Sequence, residues 1–298
     1  MAYDDLELPS GTFENVVGGA SSYTALAASM LAGVQIVGVV GDDFDESFLG
    51  ELSSRGVDIQ GVEKIAGGKT FRWRGRYAQD LLSRETLDTQ LNVFESFKPK
   101  LPESYRDAQF VLLGNIHPAL QLEVLAQTRA PKLVATDTMN FWIGGEPKLL
   151  NEVLAKTDLL IINDEEARQL SGIDNLLHAS RDIRARGPKR LIIKRGEFGA
   201  ILFDEEGIFC APGLLLDRVV DPTGAGDSFA GGLLGYLTKA GDASSGTLRQ
   251  ALLVATVFGS FCVEEVGPRR LLSVTRADVA RRIAELHRTM DAGREIAL

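Results

Sequence analysis

The sequence predicts an α/β fold: a central, mostly parallel sheet with helices on both faces, and a small β-sheet lid outside it. Three observations carry that prediction. Short apolar runs alternate with amphipathic stretches over most of the chain, and near-continuous apolar strands of this kind are those buried on both faces. The C-terminal part shows only helical periodicity. One segment instead alternates strictly, residue by residue, as a strand with one wet face does.

The apolar runs are Val34–Val40, Phe110–Leu113, Leu133–Thr136, Asp158–Ile162, Leu191–Lys194 and Ala200–Phe203. Each is short and bounded by turn residues, as strands are. Between them, spacing predicts helices over Ala20–Leu31, Glu46–Ser54, Leu120–Gln127, Lys148–Lys156, Glu165–Leu170 and Asn175–Arg186. Further helices are expected over Gly224–Lys239, Thr247–Glu264 and Thr275–Thr289; the last opens on a capping pattern, Thr275 with Asp278. The alternating segment lies in Gly61–Tyr77, with Phe71, Trp73 and Tyr77 on one face and Arg72, Arg74 and Arg76 on the other. Three aromatics left in water would form a patch that monomers avoid. The segment is therefore expected to be a lid that closes over a substrate or packs on a second subunit as a homodimer. The arginines are expected to be solvated charges. The domain division expected is a lid from 1–12 and 61–90, and a main domain from 13–60 and 91–298.

Composition narrows the function. The 298 residues are 45 % hydrophobic and 24 % charged, ordinary values for a globular chain. A net charge of -9 disfavours nucleic acid as a partner, since phosphate backbones are bound by clustered Lys and Arg. Small anions need only a local positive site. Cys210 and Cys262 each lie in an apolar run and are expected to be buried free thiols. No basic and apolar leader opens the sequence, and no apolar stretch reaches the ~18 residues of a membrane span. A cytoplasmic location without a membrane partner is expected.

The chemistry concentrates in Asp221-Pro222-Thr223-Gly224-Ala225-Gly226-Asp227. Apolar Leu214–Val220 precedes it, and Phe229, Leu233 and Leu237 follow at helical spacing, so it is a strand, a glycine turn and a helix start. The first helical turn has N–H groups without intrahelical partners and the positive end of the macrodipole. Glycines there let an anion approach the backbone. Asp227 beside such an anion site is placed to act as a general base for an attacking hydroxyl, although Asp is also favoured in any first turn.

This segment resembles the C-terminal signature of the ribokinase-like (PfkB) carbohydrate kinase family, usually D-T-x-G-A-G-D. The resemblance implies that Asp227 is the catalytic base and that the amides of Gly224, Ala225 and Gly226 form the anion hole, with Thr223 at the nucleotide. Further motifs resemble the family's in order. Gly18-Gly19 is similar to its di-glycine hinge, and Gly41-Asp42-Asp43-Phe44 to the stretch leading into its lid. Asn163-Asp164-Glu165-Glu166 matches N-x-x-E, which implies that Asn163 and Glu166 organise Mg²⁺ and phosphates, Glu166 acting on the metal indirectly. Lys194-Arg195-Gly196-Glu197-Phe198-Gly199 resembles the turn lying against the nucleotide, which implies contacts from Lys194, Gly196 and Gly199. By the same resemblance ATP and Mg²⁺ are the cofactors, and K⁺ near Asp221 is a further expectation. The resemblance also implies that the acceptor is an alcohol of a small sugar or nucleoside. Elsewhere, Gly67-Gly68-Lys69-Thr70 ends like a P-loop, but Glu63 stands where its first glycine belongs. His117, His178 and His287 have no metal-ligand spacing.

Two departures from the family bear on the site. The sequence starts where the family's first apolar strand would be ending, so codons upstream of Met1 are expected to encode the rest of a strand. Asp4 best matches the substrate aspartate, with Asp5 the alternative. Tyr23 stands where sugar-selective members often carry Asn after the glycine pair; it is either a substrate contact or a helix residue packed beneath the lid. Asp137-Thr138-Met139-Asn140 only loosely resembles D-P-N. A non-catalytic, ligand-binding member of the family is the alternative function, and the complete Gly-Ala-Gly-Asp turn argues against it.

Overall fold

The computed structural model describes residues 1–81 and 83–291. Position 82, inside the expected lid, and 292–298, at the end of the expected main domain, lie outside the described residues. Strands β1 (Ala2–Leu8) and β2 (Gly11–Gly18) lead into α1 (Ala20–Ser29). A β–α–β unit follows: β3 (Val34–Gly41), α2 (Glu46–Ser54) and β4 (Val57–Ile65). Next come β5 (Arg72–Tyr77), β6 (Arg84–Gln90), β7 (Phe110–Leu113), α3 (Pro118–Leu125) and β8 (Leu133–Asp137). Then α4 (Asn140–Gly145) and α5 (Pro147–Leu154) precede β9 (Leu159–Asn163), α6 (Asp164–Ser171) and α7 (Leu176–Ala185). The strands end with β10 (Arg190–Lys194), β11 (Ala200–Asp204) and β12 (Gly207–Ala211). Helices α8 (Ala225–Ala240), α9 (Ser245–Cys262), α10 (Arg269–Ser273) and α11 (Arg276–Met290) complete the described chain.

The central sheet runs β12-β11-β10-β9-β8-β7, parallel from β7 to β10 and antiparallel beyond. Period-2 geometry divides its side chains between two cores. Leu159, Ile161 and Ile192 pack with Phe229, Leu233 and Phe258 from α8 and α9. Leu160, Ile162, Leu191 and Ile193 pack with Leu150, Leu154, Ala167 and Ile183 from α5, α6 and α7. The expected sheet covered on both faces is present. Its expected first member is not in it: β3 pairs with β4 in a separate two-stranded parallel ladder.

The small sheet has the order β2-β1-β5-β6. The boundary expected at 12 falls inside β2, which continues in this sheet to Gly18, and the one at 61 falls inside β4. Hydrogen-bond partners decide which sheet a strand joins, and polar strands such as β2 and β6 carry no apolar alternation to announce them. On the inner face Leu6, Leu8 and Tyr77 pack with Trp73, Val220 and Val266. The aromatic stripe is split: Phe71 meets Phe94 edge-on at 5.8 Å, and Trp73 meets Tyr77 edge-on at 6.5 Å. These rings find contacts within their own chain. On the outer face Arg72 pairs with Asp5 at 3.3 Å, and Arg74 and Arg76 each reach Glu7 at 2.7 Å. The arginines are thus paired across the sheet rather than simply solvated, although such exposed pairs are screened by solvent and add little stability.

Helix α1 lies close on α8 because Gly231 and Gly235 face it one turn apart; a Cβ on Gly231 would come 2.4 Å from the Thr24 carbonyl oxygen. Cys262 is buried as expected, whereas Cys210 is exposed on β12, an outer strand. No helix among the described residues is long and apolar enough to cross a membrane.

Candidate active site

The turn before α8 is fixed from beneath. Asp221 is fully buried; one carboxylate oxygen accepts the Thr223 N–H at 2.9 Å and the other accepts the Gly267 N–H at 2.8 Å. These bonds pin the turn to the corner between α9 and α10. Among the described residues no group of three His, Cys, Asp or Glu could hold a metal ion.

Gly224 is the N-cap of α8, with φ 77°, and supplies no side-chain cap. Its left-handed backbone favours glycine. A Cβ there would also meet the Tyr23 ring at 2.5 Å. The Ala225 N–H is turned back to the Pro222 carbonyl at 3.2 Å. Of the three expected anion-hole amides it is therefore the one already engaged, while Gly226 and Asp227 occupy the following first-turn positions. Thr24 Oγ1 donates to the Asp227 carbonyl at 3.1 Å, tying the helix start to α1.

Lys194 ends β10 and fills the space that a side chain on Gly226 would need: a Cβ there would lie 2.9 Å from its Nζ. The ammonium is also 3.9 Å from Asp137, which ends β8. Burial works against the Lys194 charge, but Asp137, Glu166 and Asp227 together outweigh it and hold the pKa above the usual lysine range. Burial pushes Asp227 up to about 7, the Asp137 charge adds to this, and Lys194 and Arg84 oppose it. Asp4 also rises to about 7, through burial and then Asp221 and Asp227. Glu166 reaches about 7 for the same leading reason, with Lys194 opposing. A carboxylate held near neutral pH is a base of suitable strength for proton transfer.

Asp4 belongs to this group, and Gly18 makes room for it: a Cβ on Gly18 would lie 1.9 Å from Asp4 Oδ2. Gly18→Ala is expected to displace Asp4 and raise the acceptor KM by about 10–100-fold, the scale of a 1 Å misplacement, while nucleotide affinity stays unchanged. An unchanged acceptor KM would remove Asp4 from the substrate site. Gly19 caps α1 beside it.

Tyr23 needs correction. It is 1 % exposed and lies beneath Gly224, so it supports the turn instead of offering a ring to a substrate. Asn163 and Glu166 form a reciprocal capping box on α6, with bonds of 2.8 and 2.7 Å. The Asn163 carbonyl oxygen is thereby engaged at the helix start, while Glu166 also faces Lys194 and Asp137 electrostatically. Gly196 and Gly199 form the turn just beyond Lys194, both with positive φ. Thr223 Oγ1 lies 3.0 Å from the Tyr77 hydroxyl, so the small sheet touches the residue just before the anion site. Sequence reasoning passed over Tyr77 in this role, and also Asp137 and Arg84. The apolar Leu133–Thr136 run ending on Asp137 was a usable signal; polar β6 offered none for Arg84.

Residues 2–274 match the family model described as pfkB family carbohydrate kinase. The chain belongs to the pfkB family. It is accordingly a kinase, like its relatives. The cytidine kinase of Thermococcus kodakarensis is 31 % identical over 242 residues, covering 79 % of this chain and 86 % of that protein. The fold is shared with a Burkholderia thailandensis nucleoside kinase in complex with inosine, at TM-score 0.77 and 22 % identity over 95 % of both chains. It is shared too with Salmonella enterica aminoimidazole riboside kinase, complexed with aminoimidazole riboside and an ATP analog (TM-score 0.73, 23 % identity, 95 % and 97 % covered).

Proposed function

We propose that this pfkB kinase moves the γ-phosphoryl group of ATP to an alcohol of a small sugar or nucleoside, with Asp227 as general base. The observation that carries the reading is the half-buried Asp227 carboxylate in the first turn of α8, which has no side-chain cap, with Lys194 lying against the same turn. Asp227 takes the hydroxyl proton. The acceptor oxygen bonds to the γ-phosphorus as the bond to the β–γ bridging oxygen breaks, and ADP leaves. Charge on the transferring group is met by the α8 N-terminus and the Lys194 ammonium, which are fixed before reaction and cost no reorganisation. Asp4 holds the acceptor, and the small sheet covers it as a lid that limits attack by water.

Mg²⁺ would arrive with the nucleotide and neutralise phosphate charge. Glu166 and Asp137, which both act on Lys194, are the carboxylates that would hold it. The relatives' names make cytidine, other nucleosides and small sugars the first acceptors to try. The test is ADP release from MgATP with a panel of cytidine, adenosine, inosine, ribose and fructose. At least one should turn over at about 1–100 s⁻¹, the usual range for kinases. Tight nucleotide and acceptor binding without ADP release would favour the non-catalytic alternative.

A further inference from the structure

Thr223 immediately precedes the Gly224 cap of α8, and bonds from three sides hold it. Its N–H donates to Asp221 Oδ1 at 2.9 Å. Its carbonyl accepts the thiol of buried Cys262, the last residue of α9, at 3.3 Å. Its Oγ1 lies 3.0 Å from the Tyr77 hydroxyl at the end of β5, and either oxygen can donate. The first two bonds come from the α8–α9 region, the third from the small sheet. That sheet also packs on both ends of the Asp221–Gly267 link. Leu6, Leu8 and Tyr77 share a core with Val220 and Val266, the residues just before Asp221 and Gly267. Val16 of β2 covers Gly267 so closely that a Cβ there would lie 2.4 Å from its Cγ1. Tyr77 is itself buried, so its hydroxyl has given up water for a partner at this turn.

We propose that Tyr77 is a positioning residue for phosphoryl transfer: its hydroxyl holds Thr223 and so fixes the direction of the first-turn amides of α8. This rests on the kinase reading and adds a residue to it. Gly224 and Gly226 lack Cβ atoms, so the peptides beside them can rotate at little steric cost. That freedom admits a phosphate but also loosens the amides, unless neighbouring tethers remove it. Amides aimed before reaction stabilise charge as it develops. Losing their alignment therefore falls on turnover more than on ground-state binding. The Asp221 and Cys262 bonds fix the backbone of Thr223, and the Tyr77 bond fixes its side chain. A docked small sheet is then a condition for an aligned anion site, apart from any cover it gives the acceptor.

Tyr77→Phe keeps the ring packing and removes the hydroxyl. It should lower kcat by about 3–10-fold, the scale of one neutral hydrogen bond, with the KM of ATP and of the best acceptor within about twofold. Thr223→Ser, which keeps a hydroxyl, should stay near wild type. Thr223→Val should lose turnover as Tyr77→Phe does, and the two together should lower kcat no further than the worse of them. Hydrogen exchange on the full chain gives a readout apart from turnover. The Ala225 and Ser228 amides, bonded to the Pro222 and Gly224 carbonyls, should exchange about 3–10-fold faster in Tyr77→Phe. An unchanged kcat in Tyr77→Phe, even with a lower melting temperature, would reduce the bond to a structural one and overturn the proposal. So would single effects that multiply in the double variant. A wild type that releases no ADP with any acceptor would instead sink the kinase reading. Faster exchange in Tyr77→Phe would then still support the tether, and unchanged exchange would overturn it as well.

Discussion

Asp227→Asn is expected to lower turnover by about 10²–10⁴, the range for loss of a general base, and to leave folding and nucleotide affinity near wild type. Asparagine keeps the shape and removes the proton acceptor. Asp227 is also one of the carboxylates crowding Asp137 and Asp4, so removing its charge relieves repulsion. The melting temperature should therefore hold or rise. Steady-state kinetics on the best acceptor, with ADP titrations and a thermal melt, separate these outcomes. Wild-type turnover in a folded variant would end the assignment of Asp227.

Gly224→Ala should be nearly as damaging, for two reasons read from one position. The backbone is left-handed there, which costs a non-glycine residue about 1–2 kcal/mol. The added Cβ also meets the Tyr23 ring, 2.5 Å away. The turn must shift, carrying the first-turn amides with it. Loss of one donor of this kind costs about 10²–10³ in turnover. Melting should fall as well, and Tyr23→Leu in the same chain should restore part of the stability. Normal turnover by Gly224→Ala would show that the anion site does not depend on this turn.

Both predictions fall on a segment that sequence makes legible. In Asp221–Asp227 the glycine turn and the helix start are read from local pattern alone, whereas the strand expected over Leu214–Val220 is absent and that run is irregular. The central strands are legible for a similar reason, since burial on both faces leaves an unbroken apolar run. Long-range partners are what sequence hides. Strand β3 looks like any central strand, yet its ladder partner is β4. Tyr23 looks like a ligand contact until α1 is seen against α8, where its ring fills the space under Gly224. Asn163 and Glu166 satisfy a nucleotide motif and a capping box with the same spacing. Arg84 stands opposite Tyr77 only because β6 pairs with β5, and nothing in Arg84–Gln90 forecasts that.

The pH dependence of kcat/KM on the best acceptor tests the central claim most directly, because it reports the free enzyme's essential base. Asp227 is held at about 7, above its ordinary 3.8, and acts only when deprotonated. Activity should therefore climb as pH rises through about 7 and level off above it. Asp4 is held at about 7 as well, so the residual activity of Asp227→Asn supplies the control. The account predicts that this limb disappears in the variant. A wild-type profile flat from about pH 5 to 9, or a limb that survives in Asp227→Asn, would contradict Asp227 as the base.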